Sequence, residues 1–469
     1  VICSSDSFSP MNFPAIGTVC MDFLSPSFYF DYFALNAQGE ASWSFAVPNT
    51  NSLVGQPPIF ACAVACEASG FSVSKTIRIP YENPGAYRAV GSLQVPRALH
   101  TATLLAADGR DNDTRVLITG GGGGTVLTPL ATDSTEIYQP LTRTYVTGPT
   151  MTVERTLHRA IRLDNGFVLV IGGADSLGVV TDTCELFDPT TNTLAATGTM
   201  TTPRAGHGAT LLNDGRVFVS GGLADYVDPL NNFLAVMNTA QDTAEIYDPA
   251  TGTWTAVAGT MATARSGQAQ LLLPSGNVLI TGGIQGAAPA VLTGLPVPVH
   301  TGSCTIFDTA TGTLAPTGTL LSPRAFHGAS VLQNGDVLVT GGSLSNTFTG
   351  TVNATGACEL FTGATWTTVT ALPVAVTNHV QVAAANGDAL IFGGLTGNSP
   401  TLTPVADSGR HDGQTYTAGL PIGTNPGFPA ATAQMLGAAT ASRLADRTWL
   451  LVGGSDAANA LTTTFVFHE

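Results

Sequence analysis

Charge is what this sequence has least of. Asp, Glu, Lys and Arg make up only 10% of its 469 residues, against roughly a quarter in an average globular protein. Lysine is scarce. The surface must therefore be covered largely by Thr, Ser, Asn, Gly and Ala, and weak repulsion between copies favours association. What charge there is leans to one sign. A net charge of −15 argues against nucleic acid or an anionic membrane surface as partner, since both need a basic field. No apolar run reaches the roughly 18–20 residues of a membrane span. Also absent are a nucleophile elbow, a P-loop, an H-E-x-x-H helix and an isolated carboxylate pair, so no catalytic residue, metal or cofactor is expected. Scarce lysine, abundant threonine and a cluster of N-terminal cysteines favour a secreted or cell-surface protein.

What the sequence does have is repetition. A Gly-Gly pair follows an apolar, β-branched run seven times, ending at Gly121, Gly173, Gly222, Gly283, Gly342, Gly394 and Gly454. Successive pairs stand 49 to 61 residues apart. The third unit shows the internal order best. PRAGHGATLL (203–212) alternates and reads as a strand, DGR (214–216) as a turn and VFVSGG (217–222) as a second strand. TAEIYDP (243–249) reads as a third strand, and ATGTWTAV (250–257) as a turn and a fourth. Four short strands separated by turn signals, repeated, make the blade of a β-propeller. These motifs resemble kelch repeats, whose period is about 50 residues, and the resemblance covers roughly residues 85–469. The fold expected is all-β: a seven-bladed kelch-like propeller over 84–469, preceded by a small β-rich, sandwich-like domain over 1–83.

The spacing also predicts how the ring closes. An aromatic residue or Leu in the fourth strand stands ten residues before the next Arg or its equivalent. Tyr145 precedes Arg155 in this way, Leu194 precedes Arg204, Leu314 precedes Arg324 and Trp366 precedes Val376, while Trp254 and Arg265 are eleven apart. Tyr87 precedes Arg97 by ten, yet no complete blade lies before it, and the chain stops at TTTFVFHE, which aligns with a third strand. Residues 85–93 should therefore supply the fourth strand of the last blade and pair two otherwise open edges.

The N-terminal region holds SFYFDYFAL, ASWSFAV, FACAVAC and FSVSKTIRI, all rich in β-branched or aromatic residues. It resembles a β-domain of secreted planctomycete-type bacterial proteins, and that resemblance implies no activity. Cys3, Cys20, Cys62 and Cys66 are disulfide candidates with three possible connectivities. If FACAVAC is one extended strand, Cys62 and Cys66 lie about 13 Å apart at 3.3 Å per residue, too far to bond each other. The remaining cysteines, Cys184, Cys304 and Cys358, share one repeat position and read as small core residues.

The first strand carries an R-x-x-H pattern: Arg97–His100, Arg155–His158, Arg204–His207 and Arg324–His327. Arg265 is followed by Gln268, His379 stands with Val376, and in the last blade Ala431 and Gln434 take the two positions. First strands line the channel, so Arg97, Arg155, Arg204, Arg265 and Arg324 could form an annulus near the axis. The kelch resemblance implies that such arginines bind acidic groups of a partner. A second reading competes. The third strand carries Glu136, Glu185, Glu245 and Glu359, and Arg and Glu come and go together within blades, save for Arg265, which faces Thr305. Structural pairing between strands explains that coincidence. Asp108, Asp111 and Asp113 read as a solvated turn, and Asn112 and Asn353 each open an N-glycosylation pattern.

Some seven-bladed kelch propellers are copper enzymes of the galactose oxidase family, using two Tyr, two His and a Cys cross-linked to one Tyr. Here most propeller tyrosines fall on repeat positions, with Tyr226 the exception, and no propeller Cys leaves them. The function expected is contact without chemistry. One form is a self-associating structural subunit of an extracellular layer or fibre, favoured by the long, weakly charged insertions at 224–241 and 283–302. The other is a monomeric secreted propeller binding a protein or glycan through blade loops.

Overall fold

The computed structural model describes residues 87–469 except 106–114, 126–127, 141, 226–238, 295, 399–401, 423–437, 445–447 and 456–458, together with Gly85 and seven short strands within 1–80. The chain divides into two compact units, Val1–Ala86 with His468, and Tyr87–Phe467 with Glu469. In the first unit, Ile59–Ala61 is the central strand of an antiparallel sheet, between Ile2–Ser4 and Ile77–Ile79. Two hairpins accompany it, Ser9–Phe13 with Gly17–Met21 and Val64–Glu67 with Gly70–Val73. FACAVAC is thus not one strand: its two halves belong to different sheets. The 13 Å separation argued for Cys62 and Cys66 therefore loses its premise. The side chains of Cys3, Cys20, Cys62 and Cys66 lie outside the described residues.

The second unit is a seven-bladed β-propeller with no α-helix among the described residues. Blade three is representative: Gly208–Leu211, Val217–Ser220, Ala244–Asp248 and Thr253–Ala256 pair in that order, each antiparallel to the next. Second strands are apolar throughout because they are covered on both sheet faces. VLIT, VLVI, VFVS, VLIT, VLVT, ALIF and TWLLV are buried at every position. The core lies between blades rather than within them. One cluster joins Leu169 and Ile171 of blade two to Val217, Val219 and Tyr247 of blade three.

Blade seven is assembled from both ends of the unit. Its first three strands are Thr440–Arg443, Thr448–Val452 and Thr464–His468, and its fourth is Tyr87–Ala89. Phe467 pairs with Tyr87, as Tyr138 pairs with Tyr145 in blade one. Tyr87 is buried against Phe467 and Phe392, with ring centroids 5.1 and 6.4 Å away.

Each Gly-Gly pair makes the seam between blades. The second glycine donates its N–H to the backbone carbonyl of the next blade's arginine position: Gly121 to Arg155, Gly173 to Arg204, Gly222 to Arg265, Gly283 to Arg324 and Gly454 to Arg97, at 2.8–3.0 Å. Glycine is required here. Gly172 has φ +55°, and a Cβ there would stand 2.4 Å from the Arg204 carbonyl oxygen.

Antiparallel order sorts the connections by face. Turns joining strands one to two and three to four lie on one face. Connections from two to three, and from each blade to the next, lie on the other. The second face carries extra hairpins in blades one, four, five and six, the largest being Ile284–Pro289 with Pro296–His300 and Ser343–Asn346 with Thr351–Ala354.

Candidate functional site

The seven first strands contact one another in a closed cycle around the axis. The arginine that precedes each of the first five turns away from that axis into its own blade. Arg204 is the fullest case. Nη1 donates to the carbonyls of Gly221 and Thr243 at 2.8 and 3.2 Å, and Nη2 donates to Thr243 Oγ1 at 2.8 Å and Glu245 Oε1 at 3.0 Å. Nε donates to the same carboxylate oxygen at 3.2 Å. All five N–H groups of the guanidinium are used. Glu245 in turn accepts from the Thr201 amide at 2.6 Å and the Thr202 hydroxyl at 3.0 Å. Burial pushes the Glu245 carboxyl up, but the Thr201 amide and Arg204 outweigh it and hold it below its ordinary value.

The same pair forms in blades one, two and five. Arg97–Glu136, Arg155–Glu185 and Arg324–Glu359 stand at 2.8, 2.8 and 2.6 Å. Arg265 has no carboxylate and donates instead to the carbonyls of Thr263, Gly282 and Ser303 and the Ser303 hydroxyl. Burial lowers its pKa to about 10. All five arginines are 0% exposed. The reading of Arg97, Arg155, Arg204, Arg265 and Arg324 as a channel-facing anion ring therefore fails: no solute reaches them. In blade six the partner positions hold Val376 and Gly409, with Gly409 opposite Ile391 as Glu359 is opposite Val339.

The histidines join neighbouring blades. His158 Nε2 lies 2.8 Å from Thr119 Oγ1 of blade one, and His327 Nε2 is 2.9 Å from Thr281 Oγ1 of blade four. His379 Nε2 is 2.9 Å from Thr340 Oγ1 of blade five, and His100 Nε2 is 2.8 Å from Thr440 Oγ1 of blade seven. Gln268 makes the same crossing to the Ser220 carbonyl. In blades one, three, four and five the residue before the Gly-Gly pair, Thr119, Ser220, Thr281 or Thr340, thus meets the next blade's His or Gln, a signal the sequence carries. His100 uses Thr440 because Val452 has no hydroxyl. Blade two breaks the match: Ile171 replaces the hydroxyl, and neither ring nitrogen of His207 has a partner. In blade seven, Ala438 takes the left-handed backbone position two residues after the arginine position, and strand Thr440–Arg443 follows as Thr101–Leu104 follows His100. The His position is therefore Ala439 and the arginine position residue 436, so the expected Ala431 and Gln434 each lie five residues too early. Burial holds these imidazoles neutral: His100 and His379 fall to about 3 and about 4, and His158, His207 and His327 lie well below the ordinary value.

Cys184, Cys304 and Cys358 are buried free thiols opening their third strands, and burial raises them to about 12, 11 and 11. Among the described residues no three His, Cys, Asp or Glu side chains converge as metal ligands. Tyr138, Tyr145 and Tyr247 pack in the blades. Tyr226, Asp108, Asp111, Asn112 and Asp113 lie outside the described residues. Asn353 sits in a hairpin strand bridged to Asn398.

The feature that stands out chemically is the hairpin face. Of the eight large apolar residues that are well exposed among those described, seven lie there: Leu130, Leu177, Val179, Val291, Leu292, Leu321 and Phe348. The hairpins of blades four and five are fastened tip to tip, Val291 N–H donating to Thr347 at 2.9 Å and Leu292 N–H to Phe348 at 3.0 Å. His300 Nε2 and Ser343 Oγ lie 2.9 Å apart at their base. On the opposite face, two shallow depressions of about 260 and 300 Å³ are lined by turn residues such as Arg216, Asp248, Asn334 and Asp412.

A family model described as the Kelch motif matches residues 203–261, which is blade three. No curated protein matches the chain in sequence. Among solved structures, YjhT is similar with a TM-score of 0.52 at 16% identity, over 71% of this chain and 99% of that one. A fungal alcohol oxidase of the AA5 family, in complex with copper, is similar with a TM-score of 0.58 at 14% identity, over 82% of this chain and 76% of that one. At such identities the likeness is one of fold. The second unit is a seven-bladed propeller that carries a Kelch motif in blade three.

Proposed function

We propose that the protein acts by contact rather than chemistry, through the hairpin face, and that the contact is with further copies of itself in an extracellular or cell-surface setting. The observation that carries this is the sorting of exposed apolar side chains. In a chain with only 10% charged residues, nearly all the exposed large apolar residues among those described lie on one face, three of them on the fastened hairpin tips. Exposed apolar patches rimmed by polar residues mark interaction surfaces, and scarce charge lowers the repulsion that keeps copies apart. The buried arginines and histidines are accounted for by packing within and between blades. Scarce lysine and abundant threonine support the extracellular setting.

Sedimentation velocity over a range of concentrations tests this. The wild-type chain is expected to self-associate, and Val291→Asp combined with Phe348→Asp to shift it to monomer without changing its melting temperature. A monomeric wild-type chain that captures glycans or a defined protein through the same hairpins would replace self-association with ligand binding. Retained copper with oxygen uptake on an alcohol would establish the oxidase reading instead.

A further inference from the structure

The charged side chains on the innermost strands of this acidic protein are all positive. The seven first strands, TATL, RAIR, GATL, AQLL, GASV, VQVA and TASR, carry three charged residues, and all are arginines: Arg159, Arg162 and Arg443. Just outside them, Arg265 carries a buried charge with no carboxylate beside it. In a chain of net charge −15, this is a local inversion.

Arg159 breaks the repeat. The residue after the His position is Thr101, Gly208, Ala269, Gly328, Val380 or Thr440 in the other blades, small or apolar each time. Its Nε donates to the His207 carbonyl at 2.9 Å, while Nη1 and Nη2 have no hydrogen bond and no carboxylate partner among the described residues. The side chain is solvent-accessible yet crowded enough by protein that desolvation lowers its pKa, with no acid to offset it. The guanidinium is thus open to solvent yet closely surrounded by protein.

The surroundings are irregular at the same place. One left-handed residue per blade, Leu99, Leu157, Gly206, Gly267, Phe326, Asn378 and Ala438 (φ 51–63°), rings the axis. Each N–H donates to the carbonyl of the ring residue in the preceding blade, from Gly206 to Leu157 round to Leu99 to Ala438. Leu157, two residues before Arg159, is the exception: its N–H meets no acceptor among the described residues. Beside it Gly206 has open space, since a Cβ there would meet nothing within 4 Å. His207, next to Gly206, is fully buried with its ring against Gly172 in the blade seam, and offers this space only its backbone carbonyl, which Arg159 holds. A guanidinium without a carboxylate partner, an unpaired backbone N–H and open space coincide at the axial end of blade two.

We infer that this end of the channel binds a small oxyanion, a phosphate, sulfate or carboxylate group, with the Arg159 guanidinium as its principal contact. Guanidinium recognises such groups through paired N–H donors. The site is separate from the hairpin contact, and either can fail without the other.

Isothermal titration of the full chain with inorganic phosphate, sulfate and acetate in parallel tests it. At least one of the three is expected to bind saturably. Arg159→Gln should weaken that binding about tenfold or more, the loss expected for a charge-assisted hydrogen bond. Arg159→Lys should fall between, and Arg443→Gln, whose guanidinium lies over Trp449, should stay within about twofold, because it removes no contact at the site. The ranking of the three anions names the group. Absence of saturable binding by all three, or binding indifferent to Arg159→Gln in a variant that melts like wild type, would overturn the inference.

Discussion

Glu245→Gln in blade three tests the pairing that fixes the blade interiors. The carboxylate takes hydrogen bonds from Arg204 Nε and Nη2, the Thr201 amide and the Thr202 hydroxyl. Gln keeps the shape but loses the charge, and its NH2 must face donors. Breaking a buried ion pair from one side costs about 3–5 kcal/mol, and stranding the Thr201 N–H is part of that loss. Two blades calibrate the estimate. The exposed Arg216–Asp214 pair, at 2.6 Å, predicts that Asp214→Ala costs at most about 1 kcal/mol, as surface pairs do. Blade four shows the carboxylate is the replaceable half, because Arg265 keeps its carbonyl contacts without one. Arg204→Met should therefore cost more than Glu245→Gln, since it also strips the Gly221 and Thr243 carbonyls. Conversely Thr305→Glu, at a position whose hydroxyl is buried without a partner, should raise stability by restoring the missing pair. Urea midpoints measure all four. A Glu245→Gln midpoint indistinguishable from that of Asp214→Ala would refute the argument.

The buried imidazoles make stability fall with acid. Their folded pKa values lie below the ordinary value of 6.5, so the unfolded chain takes up protons first. Stability is complete above that value and is lost as pH falls toward about 4, the value of His379, at roughly 1.4 kcal/mol per pH unit for each imidazole. His207→Gln, using the residue that blade four uses, should make that slope shallower by one such increment, read from urea midpoints across the range. Tyr87→Ala should cost about 3–5 kcal/mol, as large aromatic truncations do. A chain starting at residue 94, which lacks the closing strand, should aggregate through the bared edge of Thr464–His468; a chain that melts like the full one would contradict the closure.

The propeller was legible because its signals repeat. The Gly-Gly pairs, the ten-residue step from Tyr87 to Arg97 and the apolar second strands all follow from one seam chemistry, which demands left-handed glycine at each blade junction. Pairing of Arg with Glu could be read from their joint presence within blades. What could not be read was direction. R-x-x-H on an inner strand looks the same whether Arg204 faces the axis or its own blade, and burial alone decides. Ala439 was misplaced because blade seven lacks both marker residues. Arg159 carries no signal in the sequence, since a single departure from a repeat makes no pattern, and its meaning comes from the open space and unpaired backbone N–H that folding places near it.

Hydrogen–deuterium exchange on the wild-type chain, compared between dilute and concentrated solution, bears most directly on contact through the hairpin face. Concentration should slow exchange in the hairpins of blades four and five, around Val291, Leu292 and Phe348, while the opposite-face turns near Asp214 and Asp336 stay unchanged. Protection confined to those turns, or no change on either face at any concentration, would contradict it.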